Sequence, residues 1–174
     1  IVRFAVLDWG PTFLMERSNP LSPKMAGWTI AIFEMAGCAG MILSGWISDK
    51  VFKGKAQRVC LIEMVIVAVL LAILHFLPET ASPILLLILL ALTGFFLYGP
   101  QTLVGVVAFK QATKKASATA IGLIGLMSYG SVLITGVGLG WYSDHFGWDT
   151  LFLLMAGVSV LGTILSAFLW NIKD

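Results

Sequence analysis

Residues 45–55 read Gly-Trp-Ile-Ser-Asp-Lys-Val-Phe-Lys-Gly-Lys, and in this stretch a long apolar run ends in a cluster of basic side chains. The run itself, from Met25 to Ser48, carries one charge, Glu34. An apolar run of about 20 residues can cross a bilayer as a helix, and lysine and arginine collect in cytoplasmic loops. The stretch therefore predicts a membrane-spanning helix that ends at the cytoplasmic surface.

The chain as a whole is similarly apolar. Of its 174 residues, 59% are hydrophobic and 11% are charged, and its mean hydropathy is +0.96. A soluble domain carries about 25% charged residues, so these values exclude a soluble fold. Five further runs are candidate spans, of which the last three carry no charge: 1–16, 59–77, 80–109, 116–143 and 150–172. The predicted fold class is therefore all-α transmembrane with six helices.

Basic residues mark two of the connections between these spans. They lie at positions 50, 53, 55 and 58, and at 110, 114 and 115. The positive-inside rule places both connections in the cytoplasm, together with the C-terminus at Asp174. The sequence Gly-Trp-x-Ser-Asp ends the second span (45–49) and the fifth (140–144), on opposite sides by this rule. This repetition predicts two inverted three-helix repeats, residues 1–78 and 79–174.

The first span is shorter than the others. Residues 1–16 fall below the length of about 20 residues that a membrane helix needs, and no initiator methionine stands at position 1. We therefore expect this chain to be part of a longer protein, with a second set of six spans before Ile1.

Several classes of function are not indicated. The net charge of +2 does not suggest a nucleic-acid partner. Cys38 and Cys60 form neither a disulfide framework nor a zinc motif, and His75 and His145 have no ligand partner at metal spacing. No set of nucleophile, base and orienting group stands out, so the sequence predicts no catalytic residue, no metal and no cofactor.

A glycine-rich segment at 136–140 superficially resembles a dinucleotide-binding loop. It lies inside a charge-free span with no strand before it, which excludes that reading. We expect its glycines, and also Gly122, Gly125 and Gly157, to serve close packing between helices.

Five charges lie within the predicted spans. Two of them, Glu16 and Glu63, stand near the end of a span, and the other three are Arg3, Asp8 and Glu34. A charge near the middle of a membrane helix costs about 2.5–3.5 kcal/mol on insertion scales, so such residues usually face a polar cavity or one another. Arg3 is either a basic flank at a helix start or a cavity residue, and its depth in the span favours the cavity. Its planar guanidinium can donate two parallel hydrogen bonds to a phosphate or a carboxylate, which predicts an anionic substrate. Asp8 and Glu34 would repel that substrate and are predicted to pair structurally.

Two helix-breaking motifs and two tyrosines complete the candidate residues. Pro11 predicts a bend in the first helix, and Gly99-Pro100 predicts one in the fourth. Tyr98 and Tyr129 lie in mid-span. Each tyrosine either packs at a helix contact or donates to a phosphate in a central cavity, and the residues alone favour packing.

The stretch that begins at Gly45 resembles the G-x-x-x-D-[KR] loop signature of the major facilitator superfamily. Other segments resemble the organophosphate:phosphate antiporters of that superfamily: 3–12, 34–37, 94–100, 114–116, 125–129 and 146–148. They are spread over nearly the whole chain, with the spacing of helices seven to twelve. The resemblance therefore implies the C-terminal six-helix half of a carrier in the bacterial inner membrane.

The resemblance also implies a mechanism and roles for the candidate residues. The family exchanges inorganic phosphate for an organic phosphate by rocker-switch alternating access, and one arginine from each half binds the phosphate. Arg3 matches the arginine of the C-terminal half, and its partner belongs to the half that this chain lacks. By the same resemblance, Tyr98 and Tyr129 become cavity-lining residues. Asp8 and Glu34 fall at positions tied to helix contacts and gating.

Asp49 and Lys50 belong to the loop signature itself. Asp49 is either an exposed charge at a helix end or a cytoplasmic latch. A latch would pair with a basic loop residue in one conformation of the carrier only.

The resemblance favours glycerol-3-phosphate as the organic substrate. Residues 121–124 are apolar, whereas hexose-phosphate relatives tend to carry charges in the corresponding stretch. The run Gly99-Pro100-Gln101, however, is shared with hexose-phosphate carriers and their sensor relatives. A hexose-6-phosphate:phosphate antiporter and a transporter-like sugar-phosphate sensor therefore remain as alternatives.

Overall fold

A computed structural model of the protein describes residues 1–17, 19–78, 80–112 and 116–168. Within these ranges the chain forms helices and no strands. The helices are α1 (Val2–Glu16), α2 (Pro23–Lys50), α3 (Ala56–His75), α4 (Pro83–Gln111), α5 (Ser117–Phe146) and α6 (Trp148–Phe168). A π-helical turn, Ile134–Leu139, interrupts α5.

Five of these helices, α2 to α6, are long and apolar enough to cross a membrane. Helix α1 has 15 residues and is too short to do so by itself. Apolar runs become helices in lipid because a helix satisfies its own backbone hydrogen bonds where no water can. The prediction of an all-α transmembrane fold, with a shortened first helix, is confirmed.

Local sequence explains where the helices begin and how α2 connects to α3. The Ser22 hydroxyl accepts a hydrogen bond from the Met25 amide at 3.4 Å, and proline stands at the start of both α2 and α4. Proline suits this position because the first turn of a helix leaves its amides unpaired. The connection after α2 reverses through Lys53 and Gly54, which have φ angles of 54° and 85°. This turn closes the basic loop tightly between the two helices.

Helix α4 lies at the centre, where it packs against α2 and α3, and α3 also packs against α6. Glycines permit the close contact between α2 and α4. A Cβ at Gly94 would lie 2.6 Å from the Phe33 carbonyl oxygen, and a Cβ at Gly40 would overlap the Phe95 backbone. Small residues at such contacts let helix backbones approach closely, which is how membrane helices associate without a hydrophobic driving force.

Helix α5 is the least covered of the spans. None of the residues from Ser117 to Leu133 is buried, and α5 meets α1 mainly at its π-helical turn. The prediction that small residues serve close packing holds at Gly140, where a Cβ would lie 2.6 Å from Trp9 Cζ2. It is wrong within the described chain for four glycines that face open space: Gly122, Gly125, Gly136 and Gly157. Their faces point away from the other described helices.

Some predictions on sidedness lie outside the described residues. These include Lys114 and Lys115 of the second basic loop, Glu79 at the start of the second predicted repeat, and the C-terminal Asp174. The orientation of the chain in the membrane and its division at 78/79 into inverted repeats therefore stay predictions.

Candidate functional site

Arg3, near the start of α1, projects toward α2 and α4. Its Nη2 lies 3.5 Å from Glu34 Oε1, and its Cζ lies 4.4 Å from the centroid of the Tyr98 ring. The ion pair is loose, because charge-assisted N–H···O bonds are usually about 2.7–2.9 Å long. Arg3 Nε is buried and has no hydrogen-bond partner among the described residues. The guanidinium is thus held over an aromatic face with the hydrogen of its Nε unpaired.

Tyr98 on α4 forms the platform under Arg3. Its side chain is buried, its hydroxyl donates to Glu34 Oε1, and its ring meets Phe33 edge-on at 6.0 Å. Gly37 leaves the space for this ring, since a Cβ there would lie 2.6 Å from Tyr98 Cδ2. Phe33, Glu34 and Gly37 lie within about one turn of α2, so one side of that helix receives the tyrosine.

The electrostatics of this cluster are those of one guanidinium paired with one carboxylate. Glu34 Oε1 accepts from both Tyr98 and Arg3, so one carboxylate oxygen holds the cluster together. The side chains of Arg3 and Glu34 are 29% and 36% exposed, so the ion pair is accessible from outside the chain. A partly desolvated guanidinium with free N–H groups is suited to bidentate binding of phosphate or carboxylate.

The structure does not bring Tyr129 into this cluster. Tyr129 lies on α5 with 74% of its surface exposed and makes no hydrogen bond to a described residue. Asp8 is exposed on α1, and it too makes no ion pair within the described part of the chain. For Glu34, the basic partner that the sequence left open is Arg3. A role for Tyr129 and Asp8 in binding or gating stays a prediction.

The remaining predicted residues lie apart from Arg3. Asp49 and Lys50 are exposed at the end of α2 and form no ion pair with any residue that the structure describes. Helix α1 continues through Pro11, and α4 continues through Gly99 and Pro100, which are buried. A latch at Asp49 and bends at the prolines therefore stay predictions.

Sequence reasoning missed the contact that places α1 against α5. The indole N–H of Trp9 donates to the Thr135 carbonyl at 3.0 Å, within the π-helical turn. Such turns are rare, and they frequently lie at functional sites. The adjoining glycine-rich segment was the available signal, because Gly140 makes room for the same indole ring. The contact positions the helix that carries Arg3.

The described residues contain no group of three or more His, Cys, Asp and Glu side chains that could hold a metal ion. The groups that meet at the cluster are the guanidinium of Arg3, the carboxylate of Glu34 and the hydroxyl of Tyr98. These groups can bind and release an anion by exchanging ionic and hydrogen-bonded partners.

Known proteins provide an independent comparison. A family model described as Major Facilitator Superfamily matches residues 4–174. The glycerol-3-phosphate transporter of Bacillus subtilis (strain 168) is 36% identical over 174 residues, which cover 98% of this chain and 38% of that protein. The probable hexose phosphate transport protein of Chlamydia pneumoniae is 34% identical over 176 residues, covering 100% of this chain and 38% of that protein.

A third relative is a sensor. The membrane sensor protein UhpC of Escherichia coli (strain K12) is 30% identical over 164 residues, covering 92% of this chain and 37% of that protein. The chain thus spans well under half the length of each of these curated relatives. Because the family model matches nearly every residue, the chain belongs to the major facilitator superfamily, and its relatives are those expected of the organophosphate:phosphate antiporter family.

Proposed function

We propose that this chain is part of a secondary transporter that exchanges inorganic phosphate for an organic phosphate, most favourably glycerol-3-phosphate. The observation that carries the proposal is the loosely paired guanidinium of Arg3. It is stacked on Tyr98 at 4.4 Å, and it lies as far as 3.5 Å from its one carboxylate contact, Glu34 Oε1. The names of the relatives, which include glycerol-3-phosphate and hexose phosphate transport, support the same class of substrate.

Phosphate would bind by replacing Glu34 as the partner of Arg3. A phosphate dianion carries more charge than a carboxylate and can approach the guanidinium fork through two oxygens at once. Glu34 keeps the hydroxyl of Tyr98 as its donor when Arg3 leaves, so its charge is not left without a partner. In the empty carrier Glu34 returns to Arg3, which makes binding reversible. No covalent step is required, in keeping with a transporter rather than an enzyme.

We propose that the rest of the carrier supplies the other side of the binding cavity. The relatives are much longer than this chain, and Tyr129 and the apolar stretch 121–124 lie on the uncovered helix α5. A second cation opposite Arg3 would balance the second charge of the phosphate. Rocker-switch motion of the two halves would then expose the cavity to each side of a bacterial inner membrane in turn, with the C-terminus of this chain in the cytoplasm.

The preference for glycerol-3-phosphate over a hexose phosphate rests on α5. Ile121 is 47% exposed and Leu123 is 57% exposed, so this part of the helix presents hydrocarbon. A hexose has more hydroxyl groups than glycerol, and each buried hydroxyl without a partner weakens binding. An apolar wall therefore favours the smaller organic phosphate.

The rival function is a sensor that binds the organic phosphate without moving it, as the similarity to a membrane sensor protein suggests. The full-length carrier in phosphate-loaded proteoliposomes separates the two. With labelled glycerol-3-phosphate outside, an antiporter accumulates label only when phosphate is present inside. Saturable binding without accumulation would overturn the transporter proposal and favour the sensor.

A further inference from the structure

Glu63 on α3 lies against α2 and α4 and is 94% buried, with 6% of its surface exposed. Its Oε1 is 2.5 Å from the hydroxyl oxygen of Ser44 on α2. The same hydroxyl oxygen is 2.7 Å from the backbone carbonyl oxygen of Gly40, one turn earlier. Three oxygen atoms, those of Glu63, Ser44 and Gly40, are therefore in hydrogen-bonding contact one after another.

The number of hydrogens that these three oxygens can share locates a proton on Glu63. A serine hydroxyl has one hydrogen, and a backbone carbonyl has none to donate. When Ser44 donates to Gly40, the contact between Ser44 and Glu63 needs a hydrogen from Glu63. If Glu63 were ionised, the Ser44 hydroxyl would have to donate its hydrogen bond to Glu63. The hydroxyl oxygen of Ser44 and the carbonyl oxygen of Gly40 would then lie 2.7 Å apart with no hydrogen between them.

The second carboxyl oxygen supports the same assignment. Glu63 Oε2 is buried without a hydrogen-bond partner among the described residues. It lies against Gly99 of α4, where a Cβ would overlap it. A carboxylate spreads its charge over both oxygens, and burying one of them unpaired is costly. A neutral acid instead donates through Oε1 and leaves only a carbonyl oxygen facing Gly99.

The position of Gly99 connects this acid to the candidate binding site. Gly99 follows Tyr98, whose hydroxyl and ring contact Glu34 and Arg3. Two neighbouring residues of α4 thus contact two different helices. Gly99 lies against the carboxyl of Glu63 on α3, and the Tyr98 ring lies against Gly37 on α2. The carboxyl therefore fills the space between α3 and the backbone of α4 at the residue next to Tyr98.

We infer that Glu63 is a protonated acid that donates to Ser44 and acts, through Gly99, as a positioning residue for Tyr98. The protonation follows from the geometry alone. The positioning of Tyr98 for phosphate rests on the function proposed above. Tests of these two parts therefore use different measurements.

Infrared spectroscopy of the purified full-length carrier tests the proton, because a protonated carboxyl has a carbonyl stretch that a carboxylate lacks. The Glu63→Gln variant is expected to lose one such band at neutral pH. The matched control is Glu16→Gln, which removes an exposed carboxylate and should leave the band in place. An unchanged band in the Glu63→Gln variant would overturn the assignment, whether or not the protein transports phosphate.

Phosphate binding tests the positioning role. Glutamine keeps a donor toward Ser44, so Glu63→Gln should bind phosphate within about twofold of the wild type, whereas Glu63→Leu should weaken binding about tenfold with turnover little changed. In a Tyr98→Phe background the further loss from Glu63→Leu should shrink to about twofold or less, because coupled residues are not additive. An equal loss in both backgrounds would show a purely structural role and overturn the positioning inference.

If the Glu63→Leu variant does not insert into the membrane, Ser44→Ala replaces it in the phosphate-binding test. It removes the hydroxyl whose oxygen lies 2.5 Å from Glu63 Oε1, and the same dependence on Tyr98 is expected. A wild-type carrier that binds no phosphate would overturn the proposed function and, with it, the positioning role. The infrared band would still decide the protonation of Glu63.

Discussion

Replacing Arg3 with lysine keeps the positive charge of the candidate site and removes two features of the arginine side chain. Lysine cannot offer two parallel N–H groups to one phosphate, and it cannot lay a planar cation on the Tyr98 ring. In the wild type the guanidinium lies 4.4 Å from the centroid of that ring. Under the proposed function, this stacking would hold the guanidinium in place for phosphate.

The expected loss of affinity has two contributions. One of the two charge-assisted hydrogen bonds to phosphate disappears, which costs about 1.5 kcal/mol. The flexible lysine must also be ordered when phosphate binds, which costs about 1 kcal/mol. The sum of about 2.5 kcal/mol corresponds to about 60-fold weaker binding at 1.4 kcal/mol per factor of ten.

Counterflow of labelled phosphate in proteoliposomes of the full-length carrier measures this loss as an increase in the half-saturation concentration. Arg17→Lys is the matched control, because Arg17 stacks over Phe13 at 5.2 Å and donates to the Pro78 carbonyl at the other end of α1. The control should transport within about twofold of the wild type. Normal insertion of Arg3→Lys with unchanged kinetics would refute the assignment of Arg3 to the site.

Three further predictions concern the surroundings of Arg3 and the loop between α2 and α3. Tyr98→Phe removes the hydrogen bond to Glu34 and should raise the half-saturation concentration for phosphate about fivefold; no change would show that this bond does not support binding. Gly37→Ala places a methyl group 2.6 Å from the Tyr98 ring and should reduce phosphate uptake, whereas Gly45→Ala, which faces open space, should leave uptake unchanged. Equal effects of the two substitutions would contradict the role of Gly37 in making room for the Tyr98 ring. Asp49→Asn should slow turnover more than it weakens binding, as measured by counterflow and equilibrium binding, and equal transport rates would exclude a latch.

The secondary structure was predictable because lipid leaves little choice. An apolar, charge-free run such as 80–109 must satisfy its backbone groups internally, and a helix does so within one segment. The structure accordingly forms Pro83–Gln111 there. The charge of Arg3 inside a span likewise predicted a polar partner, because an isolated guanidinium in hydrocarbon is costly.

The contacts between helices were not predictable in the same way. The residues alone favoured simple packing for Tyr98, and the resemblance to a family gave it a place in a cavity. The same resemblance grouped Tyr98 with Tyr129, but the structure buries the first and leaves the second 74% exposed. Both tyrosines have apolar neighbours in mid-span, so no local pattern distinguishes them. The difference arises because α4 lies between two helices whereas α5 lies beside them.

By itself, the sequence determined the fold class, the number and approximate extent of the helices, and the unusual charge at Arg3, because hydropathy acts segment by segment. Only the tertiary structure decided which groups meet. It joins Arg3 to Glu34 and Tyr98 across three helices, and it buries Glu63 against Ser44 in a span where its position suggested only a helix end. The physical reason is that these contacts depend on the rotation and separation of whole helices. Those quantities are set by close packing at glycines such as Gly37 and Gly99, and they leave no periodic trace in the sequence.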